Sequence, residues 1–146
     1  AGWLEEVVDH WSAGAQGFPV TLSLGANGAS RSIDPEAMRQ AVVTLLDNAK
    51  QATVAAGSRV PIAVSLAATA DGSLSLKVVD RGVGIPAADL AHVGEPFFST
   101  REPGQGMGLG VYLAQGAAAL HGGSLAHHSD DGGTTATLTL PPSRVS

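Results

Sequence analysis

The sequence has no cysteine, and only 4% of its 146 residues are aromatic and 14% charged. Without cysteine the chain can form neither disulfides nor thiolate metal sites. Its 8 Lys and Arg against 13 Asp and Glu leave a net charge of −5, unlike the basic surface with which proteins bind nucleic acid. No apolar run reaches the roughly 20 residues that cross a bilayer. The composition therefore argues against a DNA- or RNA-binding protein and against a disulfide-stabilised one.

What the chain does contain is apolar residues, at 44% of positions, and 19 glycines. This apolar content is enough for one hydrophobic core, so we expect residues 1–146 to form a single domain. The start AGWLEEVVDH has no initiator Met and no signal-peptide layout. We therefore expect the chain to be part of a longer protein.

The hydrophobic pattern predicts helices that alternate with pairs of strands. One helix is marked by Asp34 as its cap, Pro35 at its first position and Gly57 as its stop. The other predicted elements are a short helix or extended segment from Trp3 to Trp11, strands at Val20–Leu24, Val60–Ala67, Leu74–Val79, Leu125–His128 and Thr134–Leu140, and a helix at Leu109–Leu120. Two of the strand pairs are joined by short turns and read as antiparallel hairpins. We expect an α+β sandwich in which one mixed sheet is covered by helices on one face.

A long irregular stretch runs from Arg81 to Gly108, with a short helical turn predicted near Ala87 to His92. Stretches of this length without regular structure are usually functional or mobile. We therefore expect functional residues in this stretch.

Asn48 lies in LLDNAKQA, at the polar edge of the apolar stripe of that helix, and shares a predicted face with Thr44 and Gln51. Read alone, an Asn there is more often solvated or bonded locally. As a functional residue it can offer its side-chain carbonyl oxygen to Mg²⁺, which takes oxygen ligands and shares them with phosphates.

The segment DRGVGIP places Asp80 at the end of a strand, followed by Gly82 and Gly84. It can be a simple strand-ending turn. Its match to the dinucleotide fingerprint G-x-G-x-x-A fails because a hairpin, not a βαβ crossover, precedes it. The remaining interpretation is a carboxylate that accepts a hydrogen bond from an amino group such as the adenine amine.

Alternating glycines at 104, 106, 108 and 110 lead directly into the last helix. They form either a flexible linker or a cradle of backbone N–H groups for phosphates, but not a P-loop, because no G-K-[ST] follows. Phe97 and Phe98 are either core residues or, beside Thr100 and Arg101, the anchor of a mobile lid.

The histidines and serines give no catalytic pattern. The five histidines lie in unrelated segments without metal-ligand spacing, and no serine lies in a G-x-S-x-G turn. We assign none of these residues to catalysis.

Taken in order, the four segments resemble the catalytic and ATP-binding domain of sensor histidine kinases in the GHKL superfamily. LLDNAKQA resembles the N box, DRGVGIP the G1 box, EPFFSTR the F box and GMGLGV the G2 box, and the closing HGGSLAHHSDDGGTTATLTLP resembles the last hairpin of the family. The segment GEPFFSTREPGQGMGLGVYLAQ is most similar to the corresponding segment of the redox-responsive RegB/PrrB branch of these kinases.

The resemblance implies a Bergerat-type two-layer α/β sandwich with an ATP lid, and ATP and Mg²⁺ as cofactors. Asn48 is implied as the Mg²⁺ ligand and, with Arg101, as a catalytic residue. Nucleotide contacts are implied for Asn48, Ala52, Asp80, Gly82, Gly84, Ile85, Phe98, Thr100, Gly106, Met107, Gly108, Leu109 and Gly110. Thr44 replaces the water-activating Glu of the superfamily's ATPases, which disfavours a hydrolase, and Gln51 replaces a frequent phosphate-contacting Lys.

The implied reaction passes the ATP γ-phosphoryl group to a histidine on a separate dimerisation domain and then to an aspartate of a response regulator. No H-x-E/D-x-x-x-P acceptor segment occurs, and His10 does not match one, so the acceptor is expected upstream. The resemblance further implies a homodimeric full-length protein, with residues 1–18 leading in from its dimerisation domain, and a cytoplasmic domain of a membrane-anchored bacterial sensor kinase.

Two alternatives remain open at this point. An anti-sigma-factor serine kinase has the same superfamily fold but acts on a different partner. A protein-docking module that no longer binds nucleotide is the second alternative, and a nucleotide titration discriminates it.

Overall fold

The computed structural model of the chain describes residues 2–25, 35–68, 72–82, 110–130 and 132–141. Within these ranges the elements, in chain order, are α1 (Gly2–Gly14), β1 (Val20–Gly25), α2 (Pro35–Ala55), β2 (Ile62–Ala68), β3 (Leu74–Asp80), α3 (Gly110–Leu120), β4 (Ser124–Asp130) and β5 (Gly133–Leu140). None of the helices in the described ranges is both long and apolar enough to cross a membrane.

The strands form one mixed sheet in the order β1-β2-β3-β5-β4. β1 pairs with β2 in parallel, with Val20 opposite Ile62. The chain between these two strands contains α2, as a parallel connection requires. The other pairs, β2 with β3, β3 with β5 and β4 with β5, are antiparallel. Both predicted hairpins and the predicted mixed sheet are therefore confirmed.

α2 is the central helix of the fold. It begins at Pro35, as the sequence predicts, while the predicted cap Asp34 lies outside the described residues. It ends at Ala55, and Gly57 follows with a φ of 65°. Only glycine adopts this left-handed conformation without steric cost, which explains the predicted stop. The predicted apolar stripe of α2, which includes Val42 and Leu45, is buried.

The core lies between the helices and one face of the sheet. Ile62 and Val64 of β2, Val78 of β3 and Leu138 of β5 are each at most 2% exposed. On the opposite face, Lys77 is exposed and Thr135, Thr137 and Thr139 of β5 are half-buried. Full burial of one such side chain contributes about 1.5–3 kcal/mol, so this face holds the sheet against α2.

α1 resolves the choice between a helix and an extended segment in favour of a helix. Its buried residues Leu4, Val7, Val8 and Trp11 recur every three or four positions and belong to the same core as α2. The Trp11 indole Nε1–H donates to Asp47 Oδ1 of α2 over 2.8 Å. α1 is therefore an integral part of the packed domain.

Some predicted bounds need correction. β2 begins at Ile62 rather than Val60, because the two residues before it, Val60 and Pro61, lie outside the ladder and β2 pairs from Ile62 with the first residue of β1. β4 extends to Ser124 and Asp130 at its two ends, because these residues pair with Thr139 and Gly133 of β5. α3 begins at Gly110 within the described residues.

Candidate functional site

Asp80 is the last residue of β3 and only 5% exposed. It lies directly opposite Thr134 of β5, on the face of the sheet that the helices cover. Its Oδ1 accepts two backbone hydrogen bonds, from Gly82 N–H over 3.0 Å and from Thr134 N–H over 3.3 Å. The turn after β3 and the strand β5 thus hold the carboxyl group in one orientation.

The second oxygen of this carboxyl group, Oδ2, differs from Oδ1 in its hydrogen bonding. No donor from the described residues bonds to Asp80 Oδ2, since both bonds end on Oδ1. Burial raises the pKa of the Asp80 carboxyl above its ordinary value of 3.8, and the N–H groups of Gly82 and Thr134 and the charge of Arg81 oppose that rise. A buried carboxyl oxygen that lacks a donor is costly unless a ligand supplies one.

Gly82 packs the turn after β3 directly against the backbone of α2. A Cβ atom at this position would lie 2.2 Å from both the carbonyl carbon and the carbonyl oxygen of Ala52, and 2.5 Å from the nitrogen of Thr53. Only a residue without a side chain fits in this contact. The glycine predicted from the sequence therefore brings Asp80 to α2 at Ala52.

Asn48 lies one helical turn before Ala52 and is half-buried. Its amide oxygen is the kind of hard ligand that Mg²⁺ prefers. In the described part of the chain, no three His, Asp or Glu residues are grouped so that they could hold a metal. Mg²⁺ usually binds one or two protein ligands together with substrate phosphates and water, and Asn48 could supply one of these protein ligands.

The neighbours of Asn48 on its predicted face differ in burial. Thr44 is buried at 8% exposure, whereas Gln51 is exposed. The Thr44 side chain thus belongs to the buried side of α2 and not to its surface.

A hydroxyl pair beside Asp80 was missed by the sequence analysis. Ser129 Oγ donates to the Gly133 carbonyl oxygen over 3.2 Å and lies 3.0 Å from Thr134 Oγ1. Gly133 itself has a φ of 130°, and a Cβ there would lie 2.0 Å from the Asp80 carbonyl oxygen. The glycine run in HHSDDGGTTA signals a tight turn, but only the strand register shows that this turn is next to Asp80.

The structure places part of the predicted site. It brings Ala52, Asp80 and Gly82 together and puts Asn48 one turn from them, while Gly110 is the first residue of α3. The other predicted residues lie outside the described residues: Gly84, Ile85, Phe98, Thr100, Arg101, Gly106, Met107, Gly108 and Leu109, and with them the predicted lid. Their roles stay predictions.

Residues 33–144 match the family model described as "Histidine kinase-, DNA gyrase B-, and HSP90-like ATPase". The chain belongs to this family. Its relatives are sensor histidine kinases, so it is a domain of the kind these kinases carry.

Two curated relatives come from Pseudomonas aeruginosa. The chain is 33% identical over 115 residues to the sensor protein kinase PilS, covering 77% of this chain and 21% of PilS. It is 41% identical over 127 residues to the sensor protein kinase FleS, covering 86% of this chain and 30% of FleS. The chain thus spans a fifth to a third of these proteins.

Solved structures share the fold. The mycobacterial sensor histidine kinase MprB superposes with a TM-score of 0.77 at 21% identity, over 99% of this chain and 96% of that one. Full-length ShkA, solved in complex with AMPPNP, gives a TM-score of 0.76 at 22% identity, over 99% of this chain and 30% of that one. The predicted α+β sandwich of the histidine kinase ATP-binding domain is therefore confirmed.

Proposed function

We propose that this domain binds ATP with Mg²⁺ and presents the γ-phosphoryl group to a histidine on a separate dimerisation domain of the same protein. The observation that carries the proposal is Asp80, a buried carboxylate whose Oδ1 is fixed by two N–H groups and whose Oδ2 lacks a donor among the described residues. An acceptor-only group held in this way suits the amino group of adenine.

The residues around Asp80 supply the remaining parts of a nucleotide site. Gly82 packs without a side chain against the backbone of Ala52, which holds the carboxylate at the end of β3 beside α2. Asn48 offers the metal ligand, and a bound Mg²⁺ would neutralise charge on the phosphates. Phosphoryl transfer depends mainly on position and charge neutralisation, so a domain that holds the nucleotide needs no nucleophile of its own.

Arg101 and the glycines at 106, 108 and 110 complete the proposal on the phosphate side. Backbone N–H groups before a helix favour anions, and α3 begins at Gly110. An Arg here would neutralise charge that develops during transfer. Thr44, in place of a water-activating carboxylate, favours transfer to a protein over hydrolysis.

The relatives are named as sensor kinases. Their names favour a sensor histidine kinase over an anti-sigma-factor kinase as the full-length protein. The proposed partners are the dimerisation domain, from which residues 1–18 lead in, and the receiver domain of a response regulator. We also propose a homodimeric full-length protein and a cytoplasmic location for this domain of a membrane-anchored bacterial sensor kinase. The RegB/PrrB assignment stays a prediction.

The test is calorimetric titration of the chain with ADP and Mg²⁺. Asp80→Asn should weaken ADP binding by on the order of 10- to 100-fold, because a charged hydrogen bond of about 1.5–3 kcal/mol is lost. Asp9→Asn is the matched control, since Asp9 is exposed on α1, and it should bind like the wild type. Wild-type affinity in Asp80→Asn would show that the adenine site lies elsewhere.

A further inference from the structure

A groove of about 340 Å³ lies between α1 and α2 and is lined from both helices. Its apolar floor consists of Val7, Trp11 and Val43, which are buried or half-buried. The α2 residues that line the groove lie on the side of this helix opposite Asn48 and Ala52, because about 3.6 residues complete one turn. The groove is therefore separate from the candidate nucleotide site.

The rim of the groove is positively charged. Arg39 and Lys50 of α2 line it, and Asp47 is the one acidic residue that lines it within the described part of the chain. Asp47 Oδ1 accepts the 2.8 Å hydrogen bond from Trp11 Nε1–H, so this carboxylate is already engaged by the protein. The groove is thus basic in a chain whose net charge is −5.

The two cations have no acidic partner in the ranges that the structure describes. Arg39 makes no hydrogen bond or ion pair with any described residue. The Lys50 amine lies 5.7 Å from the centre of the Phe18 ring and forms no ion pair with a described carboxylate. The acidic residues of α1 are exposed on the side of that helix away from the groove: Glu5, Glu6 and Asp9. Both cations therefore remain available to an acidic partner.

The geometry of the groove suits an elongated partner. Trp11 of α1 bonds to Asp47, and Phe18, which follows α1, lies beside Lys50, so the two helical walls run in the same direction. Arg39 and Lys50 are 11 residues apart in the sequence, which corresponds to about three turns and about 16.5 Å along α2. A helix that lies along the groove can present two acidic residues at this spacing, with apolar residues between them toward the floor. One small anion suits two cations at this separation less well.

We propose that the groove between α1 and α2 is a docking site for an acidic amphipathic helix of a separate protein. The floor takes the apolar stripe of that helix, and Arg39 and Lys50 pair with acidic residues along its edge. Charges on an exposed rim chiefly raise the rate at which two molecules associate and select between partners, which favours a partner that arrives by diffusion. The proposal goes beyond nucleotide binding and does not depend on it.

The test is the binding of a designed peptide to the chain, measured by fluorescence anisotropy. The peptide is a stapled helix of about four turns that carries two Glu three turns apart and two Leu between them on the same face. Arg39→Glu and Lys50→Glu should each weaken its binding by about fivefold, because each replaces an attraction by a repulsion. Arg59→Glu is the matched control, since Arg59 is exposed but does not line the groove, and it should bind the peptide like the wild type.

Two further peptides separate docking in the groove from general attraction between charges. A peptide with Lys in place of both Glu should bind the wild type poorly and should bind the Arg39→Glu/Lys50→Glu double variant well. A peptide with Gln in place of both Leu should bind the wild type at least tenfold more weakly, because the floor loses its apolar contact. Equal losses in Arg59→Glu and Arg39→Glu, or unchanged binding of the Gln peptide, would overturn the proposal.

Lys50 is half-buried, whereas Arg39 is exposed. If circular dichroism shows that Lys50→Glu does not fold, Arg39→Glu alone must show both the loss of the Glu peptide and the gain of the Lys peptide. Sedimentation of the wild type covers another occupant, because a dimer that Arg39→Glu dissociates would identify a second copy of the chain and overturn the proposal. A wild type that binds ADP but not the Glu peptide rejects the docking site and leaves the proposed function intact.

Discussion

At the scale of single residues, Asp80 shows a conflict between stability and binding. Its carboxyl group is buried, and the N–H groups of Gly82 and Thr134 offset only part of that burial, so its pKa is raised. A charged group in this environment costs free energy in the nucleotide-free domain. Stability alone does not account for such a residue, and a buried carboxyl group with a raised pKa is typical of a functional site.

This conflict predicts how stability depends on pH. Because the pKa of Asp80 is raised above 3.8 in the folded state, that state holds the proton more tightly than the unfolded chain does. The contribution of Asp80 is therefore present at low pH and is lost as pH rises from about 3.8 through the raised value. The side chain of Asp80→Asn does not ionise, so this variant does not lose stability in that way as pH rises. Its amide oxygen can accept the same two N–H hydrogen bonds.

We expect nucleotide-free Asp80→Asn to melt at or above the wild-type temperature at pH 7, with a difference that shrinks as pH falls toward 3.8. Thermal unfolding followed by circular dichroism between these pH values measures it, with Asp9→Asn as the surface control. A variant that is less stable than the wild type at pH 7 contradicts the assignment of Asp80 as a strained binding residue.

The sequence located Asp80 and Gly82 but not Ser129 and Thr134. The first two lie in one short segment whose strand end and glycines are visible in the order of residues. The hydroxyl pair depends on the register between three strands, β3, β5 and β4, which are far apart in the chain. The order of residues within one short segment does not show which residues of distant strands pair. The hydroxyl pair could therefore be recognised only from the three-dimensional structure.

At the scale of elements, the site depends on one contact between the turn after β3 and the helix α2. Gly82 touches the backbone of Ala52 and Thr53 with no room for a side chain. The predicted helix and hairpins were correct because their periodicity and turn residues are local signals. The parallel pairing of β1 with β2 brings together residues separated by α2, and the sequence alone did not predict it.

Gly82→Ala should therefore separate the strand end from α2. The added methyl group collides with backbone rather than with a movable side chain, so we expect destabilisation by about 1–3 kcal/mol together with weaker ADP binding. Gly116→Ala is the matched control. Gly116 lies within α3 with nothing within 4 Å of its Cβ position, and Ala there should stabilise the domain by about 0.5–1 kcal/mol.

Urea unfolding measures both variants, and calorimetry with ADP and Mg²⁺ follows for each. If Gly82→Ala unfolds at the wild-type urea midpoint, the contact between the turn and α2 does not hold the site together.

At the scale of the whole molecule, the domain has a core of its own and a site that is built from both layers. The helix layer supplies Asn48 and Ala52, and the sheet supplies Asp80. Helices α1 and α2 are joined by the hydrogen bond from Trp11 to Asp47. The Trp11 ring also packs against Phe18, which follows α1, with the ring centroids 6.1 Å apart. We therefore expect this chain to hold the nucleotide and the phosphoryl acceptor to lie on a separate domain.

We accordingly expect the chain alone to bind ATP with Mg²⁺ without phosphorylating itself. None of its five histidines lies in an H-x-E/D-x-x-x-P segment, and His127, whose pKa is lowered by burial, lies on the helix-covered face of β4. Incubation with γ-labelled ATP should leave no acid-labile phosphate on the chain.

Addition of the histidine-bearing dimerisation domain from the same full-length protein should produce label on that domain. Asn48→Ala should reduce this label at least tenfold, because the metal loses its protein ligand and is held less well against the phosphates. Robust acid-labile labelling of the chain by itself would show that one of its own histidines is the acceptor. That result would contradict the proposal that the acceptor histidine lies on a separate domain.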